Sequence, residues 1–196
     1  MANTTKSLKG TKTADYLAQA YLAESTAVTR YIYYAQQAKK DKYLYYSTLI
    51  QQTSDNELHH AKIFLKYLVD GGVVNVPVGV DSGDLSNTVK NLEIAASEEQ
   101  KEGVDLYTEA AKVAKEEGFD EISAQFAAIA TIEAHHEARF NKMRERIENG
   151  TVWKRETPIK WQCDVCGYIY EGTTPPEVCP ACLHPYQHYF PADENV

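Results

Sequence analysis

Glu57 and His60 stand three positions apart in NELHHAKIF (56–64), and Glu133 and His136 repeat that spacing in IEAHHEARF (132–140). Each glutamate sits on an apolar helical stripe, because positions three, four and seven apart share a helix face. Glu57 lies seven after Ile50 and seven before Phe64, and Glu133 seven after Phe126 and seven before Phe140. Glu24 is flanked in the same way by Leu17 and Tyr31, and Glu99 by Leu92 and Leu106, with Glu102 one turn further on. Five carboxylates and two imidazoles are thus expected to face one interior. A buried carboxylate must be paired or bind metal, and no Lys or Arg occupies these stripes. Carboxylates that bridge two ions, with one imidazole for each, are the ligand set of a dinuclear iron or manganese site. His59 and His135 point about 100° away from their neighbours and are expected at the surface. Tyr31 and Tyr107 read as core tyrosines near the ligand layer.

A second constellation closes the chain. Cys163, Cys166, Cys179 and Cys182 form two C-x-x-C pairs separated by twelve residues. Four thiolates at this spacing form a tetrahedral site for zinc or iron. Gly167 after the first pair permits a turn in which backbone N–H groups approach the sulfurs. With the aromatic residues Tyr168 and Tyr170, that favours an iron centre whose potential is tuned by such hydrogen bonds.

These residues need long helices and a small stapled module to hold them. Proline is absent from 1–76 and 78–157, and Ala, Leu, Glu, Lys and Gln dominate up to about 150, which favours helix. The first helix is expected to start at Thr13 as N-cap and to break near 39–42. The second ends at Gly71-Gly72, a C-cap signal. VVNVPVGVDSGDLSN (73–87) has no helical period and reads as a long connection. A third helix runs to Gly118 and a fourth to Gly150. Four helices with one long crossover make an all-α four-helix bundle of the ferritin-like kind. Glu24 to Glu57 is 33 residues and Glu99 to Glu133 is 34, which suggests a duplicated hairpin paired about a pseudo-twofold axis. Six of the seven prolines lie beyond 157, so the chain divides into a bundle over 1–150 and a small metal-stapled β/loop domain over 151–196.

The net charge of −8 argues against nucleic acid as a partner. No apolar run is long enough to span a membrane, and MANTTKSLKGTK lacks an apolar leader core. A cytoplasmic location is therefore expected, where C-x-x-C pairs bind metal more often than they form disulfides.

AESTAVTRY, NELHHAK, EEQKE and EAHHEARF, together with CDVCGYIYEG and CPACLHP, closely resemble the rubrerythrin family from about Ser7 to Phe190. The resemblance implies two irons held by Glu24, Glu57, Glu99, Glu133, His60 and His136, with Glu57 and Glu133 bridging. It implies that one iron shifts between Glu102 and His60 as the site changes oxidation state, which makes these two the catalytic pair. It further implies one iron on Cys163, Cys166, Cys179 and Cys182 in a rubredoxin-like domain. The activity implied is a peroxidase that reduces hydrogen peroxide to water in oxidative-stress defence. Electrons would come from NAD(P)H through a reductase or rubredoxin, and the chain would act as a homodimer. A ferroxidase of the ferritin class is the alternative, and a zinc-ribbon protein with a structural bundle is a further rival. Leu183 departs from the pattern, since stand-alone rubredoxins usually carry glycine there.

Overall fold

The computed structural model describes residues 6–69, 72–77 and 85–193, and all but the side chain of Glu102 within them. Helix α1 (Lys12–Lys40) pairs with α2 (Leu44–Leu68) as one hairpin. The second hairpin is α3 (Thr88–Glu98), a π-helical turn (Glu99–Asp105) and α4 (Leu106–Glu116), all packed on α5 (Asp120–Glu148). The third helix of the bundle is therefore one rod with a widened turn at its centre. Gly71 and residues 78–84 of the long connection lie outside the described residues.

Thr11, not Thr13, caps α1, its hydroxyl accepting from the Ala14 N–H at 3.1 Å. Thr13 lies two residues on, within the first turn, and does something else. Its hydroxyl and N–H donate to the Glu117 carboxylate at 2.6 and 2.9 Å. The other half repeats the arrangement: the Thr88 hydroxyl and N–H donate to Asp41 Oδ2 at 2.6 and 3.0 Å. In each case a carboxylate just past one helix end receives the free N–H groups that open the next half's first helix, where negative charge is favoured.

Two apolar clusters fill the bundle. One holds Leu17, Phe64, Tyr107, Phe126 and Ile129, and the other Tyr31, Leu49, Ile50, Leu92 and Phe140. Full burial of such side chains stabilises by about 1.5–3 kcal/mol each. That is the reserve against which the polar layer between the clusters must be set.

The last described segment is a three-stranded antiparallel sheet of β1 (Ile159–Cys163), β2 (Ile169–Gly172) and β3 (Tyr189–Pro191), in the order β2-β1-β3. Its small core is Trp161, Cys163, Cys179 and Tyr189. The module rests on the start of α2. Tyr43 stacks on Trp153 with centroids 5.8 Å apart, and Tyr45 on Phe190 at 4.8 Å.

Candidate metal centres

Glu24 on α1, Glu57 and His60 on α2, Glu99 at the start of the π turn, and Glu133 and His136 on α5 are all buried. They meet in the layer between the two apolar clusters. Their polar atoms fall into two groups, Glu24–Glu57–His60–Glu133 and Glu57–Glu99–Glu133–His136. Glu57 and Glu133 belong to both. Their four oxygens divide evenly between the imidazoles. His60 Nδ1 lies 2.9 Å from Glu57 Oε2 and 3.0 Å from Glu133 Oε1. His136 Nδ1 lies 3.0 Å from Glu57 Oε1 and 2.8 Å from Glu133 Oε2. Glu24 and Glu99 each approach one imidazole at 3.8 Å.

These contacts are close, yet most are not hydrogen bonds. Only His136 to Glu133 has the alignment of one. Both Glu57 oxygens, Glu133 Oε1 and His60 Nδ1 are buried with no aligned partner among the described residues. A buried polar atom left this way costs about 1–3 kcal/mol, and more if charged. Four converging carboxylates with two imidazoles therefore fit a pair of divalent cations far better than they fit each other. The pattern of two shared carboxylates with one further glutamate and one imidazole per position is what a dinuclear site requires.

The tyrosines are core residues, as expected, but they are also specific hydrogen-bond partners of the carboxylates, which was not expected. The Tyr31 hydroxyl donates to Glu99 Oε1 at 2.5 Å, and the Tyr107 hydroxyl to Glu24 Oε1 at 2.7 Å. Each tyrosine reaches across to the glutamate of the other half, orienting it as an outer partner orients a metal ligand. Burial first, and then the neighbouring carboxylate, raise both phenols well above their ordinary value, so both remain donors. The spacing held a signal for this. Tyr31 follows Glu24 by seven, while Tyr107 follows Glu99 by eight, because the π turn holds one extra residue. That residue also displaces Leu106, which is only partly buried, so Tyr107 takes the inward position. The backbone of Glu102 lies in this turn, and its side chain is outside the described residues. His59 and His135 are exposed, as expected.

Without metal the layer is electrostatically costly. Burial raises the Glu24 carboxyl well above its usual range, and the charges of Glu133 and Glu57 add to this. Burial likewise pushes Glu99 up to about 8. Burial alone would raise Glu133 too, but the two imidazoles hold it down to about 2. Burial works against the charge on each imidazole, yet the surrounding carboxylates raise His60 to about 9 and His136 to about 12. Both the carboxylic acids and the imidazoles with raised values bind more protons folded than unfolded. Stability from these groups is complete below their unfolded values and is lost as pH rises through the folded ones. Metal-free protein is thus expected to melt at a lower temperature at pH 9 than at pH 5.5. Metal-loaded protein reverses the trend, since cations compete with protons for the same atoms. Calorimetry of both forms across that range checks it, and an apoprotein stabilised by rising pH contradicts it.

A small cavity of about 30 Å³ opens beside the layer, lined by Glu24, Glu57, Glu99, Glu133 and both tyrosines. Its walls include the four ligand glutamates themselves, so part of this space is where the cations would sit. Arg30 and Glu98, an ion pair, stand among its outer lining.

In the small domain the Cys163–Cys182 and Cys166–Cys179 sulfurs are each 3.7 Å apart. A disulfide needs about 2.05 Å. A tetrahedral ion with bonds of about 2.3 Å sets sulfurs roughly 3.75 Å apart. The four thiols are therefore spaced for one metal. The two halves of the site match: Gly167 and Leu183 each stand four after a cysteine, with φ +76 and +62. Leu183 thus adopts the left-handed turn that glycine would take, at a strain of about 1–2 kcal/mol, which reconciles its departure from the pattern. N–H groups of Val165 and Cys166 face the Cys163 sulfur, and those of Ala181 and Cys182 face Cys179, as the glycine-bearing knuckle suggested.

Comparison with known proteins agrees with both constellations. The family model described as Rubrerythrin matches residues 15–144 and 90–164, and that described as Rubrerythrin, rubredoxin-like domain, matches 161–190. Rubrerythrin-1 of Clostridium acetobutylicum is 43% identical over 193 residues, covering 97% of this chain and 99% of its own. The rubrerythrin of Porphyromonas gingivalis is 40% identical over 190 residues, covering 97% and 94%. Among solved structures, mixed-valent nigerythrin superposes with a TM-score of 0.62 at 23% identity over 97% of this chain and 91% of its own. Among the described residues, no helix is long and apolar enough to cross a membrane.

Proposed function

Because this chain belongs to the rubrerythrin family, we propose that it is a peroxidase reducing hydrogen peroxide to water at a carboxylate-bridged diiron centre. The supporting observation is the pair of ligand groups sharing Glu57 and Glu133. Glu24, Glu57, His60, Glu133 and Glu57, Glu99, Glu133, His136 would hold the two irons. Cys163, Cys166, Cys179 and Cys182 would hold the third. When bound, the reduced iron pair supplies two electrons and Lewis acidity to a peroxide O–O bond. The overall reaction takes one peroxide, two protons and two electrons to two waters.

The chain's own residues do the rest. The four glutamates neutralise the cations inside an apolar bundle, where unpaired charge costs several kcal/mol per ion. Tyr31 and Tyr107 fix the two unshared glutamates crosswise. The apolar clusters on either side keep bulk water from the layer. Glu102, in the π turn, and His60 are the pair assigned to respond when the oxidation state changes. The division at 1–150 and 151–196 separates peroxide chemistry from electron delivery. NAD(P)H, through a reductase or rubredoxin, is the assigned electron source in a cytoplasmic setting.

Within one chain the small domain docks at Tyr45, twelve residues before Glu57, about 18 Å along the helix axis at roughly 1.5 Å per residue. Docking away from the metal layer supports electron delivery between protomers of a homodimer.

Anaerobically reduced, iron-loaded protein mixed with one equivalent of hydrogen peroxide provides the test. The absorption of the ferric four-cysteine centre is expected to return within the mixing experiment, and far more slowly with air. If the bundle oxidises while the thiolate-bound iron stays reduced, the ferroxidase alternative replaces the peroxidase.

A further inference from the structure

The third helix of the bundle differs from the first by one residue and one glycine. ESTAVTRY separates Glu24 from Tyr31 by seven, whereas EQKEGVDLY separates Glu99 from Tyr107 by eight. The added residue falls in the π-helical turn Glu99–Asp105. Such turns widen the helix locally and push backbone outward. Gly103 lies in the widened part, buried, against α5. A Cβ built on Gly103 would lie 2.5 Å from both Cβ and Cγ of Glu133, and 3.7 Å from its Cδ. The Cβ is fixed by the backbone, and the Cγ can leave only by a change of χ1, which would carry the carboxylate with it. The φ of Gly103 is not in the left-handed region, so glycine is needed here for space and not for backbone conformation.

The geometry points to Gly103 as a positioning residue for the shared carboxylate of Glu133. By leaving out a side chain, it lets the π turn close on α5 and fixes where the root of Glu133 can lie. It thereby sets where that carboxylate meets His60, His136 and Glu57. The other shared carboxylate, Glu57, has no glycine facing it from the matching stretch of α1, whose sequence ESTAVTRY holds none. The two bridges therefore differ: the root of Glu133 lies directly against the backbone of the inserted turn, and the matching stretch of α1 has no inserted residue or glycine. Any substituent at 103 would act on one bridge and on the cavity it lines. This inference rests on the ligand assignment proposed above, but not on which substrate the centre reduces.

Glycine inside a helix is ordinarily the weaker choice, and replacement by alanine ordinarily raises stability. Gly103→Ala is expected to do the reverse and to disturb the metals of the bundle selectively. The measurement is Co(II) titration of the full-length apoprotein, followed by visible absorption, alongside thermal melts. The thiolate charge-transfer bands of Co(II) at the four-cysteine site should keep wild-type intensity and affinity, as an internal control. The weaker bands of the O/N-bound pair should shift, with affinity reduced at least tenfold. A Gly103→Ala protein whose bundle takes up two Co(II) with wild-type affinity and spectrum overturns the assignment. Wild-type protein that binds Co(II) only at the four cysteines overturns it together with the ligand set.

A double-mutant cycle covers the case in which Gly103→Ala does not fold. Glu133→Gly removes the atoms that the new methyl would meet. In that background Gly103→Ala should cost no melting temperature, and adding Glu133→Gly should restore folding if the single Gly103→Ala variant has lost it. A cost that persists unchanged in the Glu133→Gly background assigns Gly103 to the packing of the rod, and the positioning role falls.

Discussion

Glu57→Gln is expected to empty both metal positions of the bundle at once, because each of its two oxygens faces a different imidazole at 2.9–3.0 Å. Loss of an outer partner typically costs roughly 10–100-fold in metal affinity or activity. Loss of a shared ligand should exceed that, with peroxide turnover down by more than about 100-fold. Glu24→Gln, which alters only one group, should weaken one position and spare the other. Stability should fall as well. In the metal-free protein Glu57 faces both imidazoles and is one of the carboxylates that raise them to about 9 and about 12. Removing its charge leaves those buried imidazoles less compensated, so the melting temperature of the apoprotein near neutral pH should drop. Metal analysis after reconstitution and melts of the apo forms check both halves. A Glu57→Gln protein that keeps one iron per bundle at wild-type affinity would show that the carboxylate does not bridge.

Mixing two inactive variants is expected to restore activity. Cys163→Ser removes a ligand from the four-cysteine site and leaves the bundle intact. Glu57→Gln does the opposite. If the protein is the homodimeric peroxidase proposed above, each variant alone should turn over peroxide at a small fraction of the wild-type rate. If electrons pass between protomers, a mixed dimer contains one working pair, the four-cysteine centre of one chain and the bundle of its partner. Random mixing in an isologous dimer should then recover about a quarter of the wild-type rate, since half the dimers are mixed and each has one of two sites. Differently tagged subunits allow the mixed species to be isolated. Mixed dimers with no recovered activity would place delivery within the chain, across the distance from Tyr45 to Glu57.

Much of this was legible in the residues, and the reason is energetic. Glu24, Glu57, Glu99 and Glu133 stand on stripes between apolar neighbours, and a carboxylate there is too costly to be incidental. The structure brings these four together with His60 and His136. Thr11 and Thr13 were harder to tell apart, because either can cap a helix from sequence alone; only the distant Glu117 decides between them. Tyr31 and Tyr107 read as core residues because their rings do pack in the two clusters. Their hydroxyls act on carboxylates 68 and 83 residues away, contacts that no helical period encodes. The π turn was written in the spacing as eight against seven, and the 33- and 34-residue intervals differ by the same single residue. Its meaning needs the packed partner, since the space that Gly103 vacates belongs to Glu133. The docking of Phe190 on Tyr45 has no local signal at all.

The crossed ties of the two halves carry a consequence for how such a chain arises. Thr13 with Glu117, Thr88 with Asp41, Tyr31 with Glu99 and Tyr107 with Glu24 all join one hairpin to the other. A lone hairpin pairing with its own copy would make every one of these contacts twice. In such a pair any inserted residue would appear on both sides of the metal site. A single chain holding both halves is free of that obligation. The extra residue between Glu99 and Tyr107 uses that freedom, changing one side of the site alone.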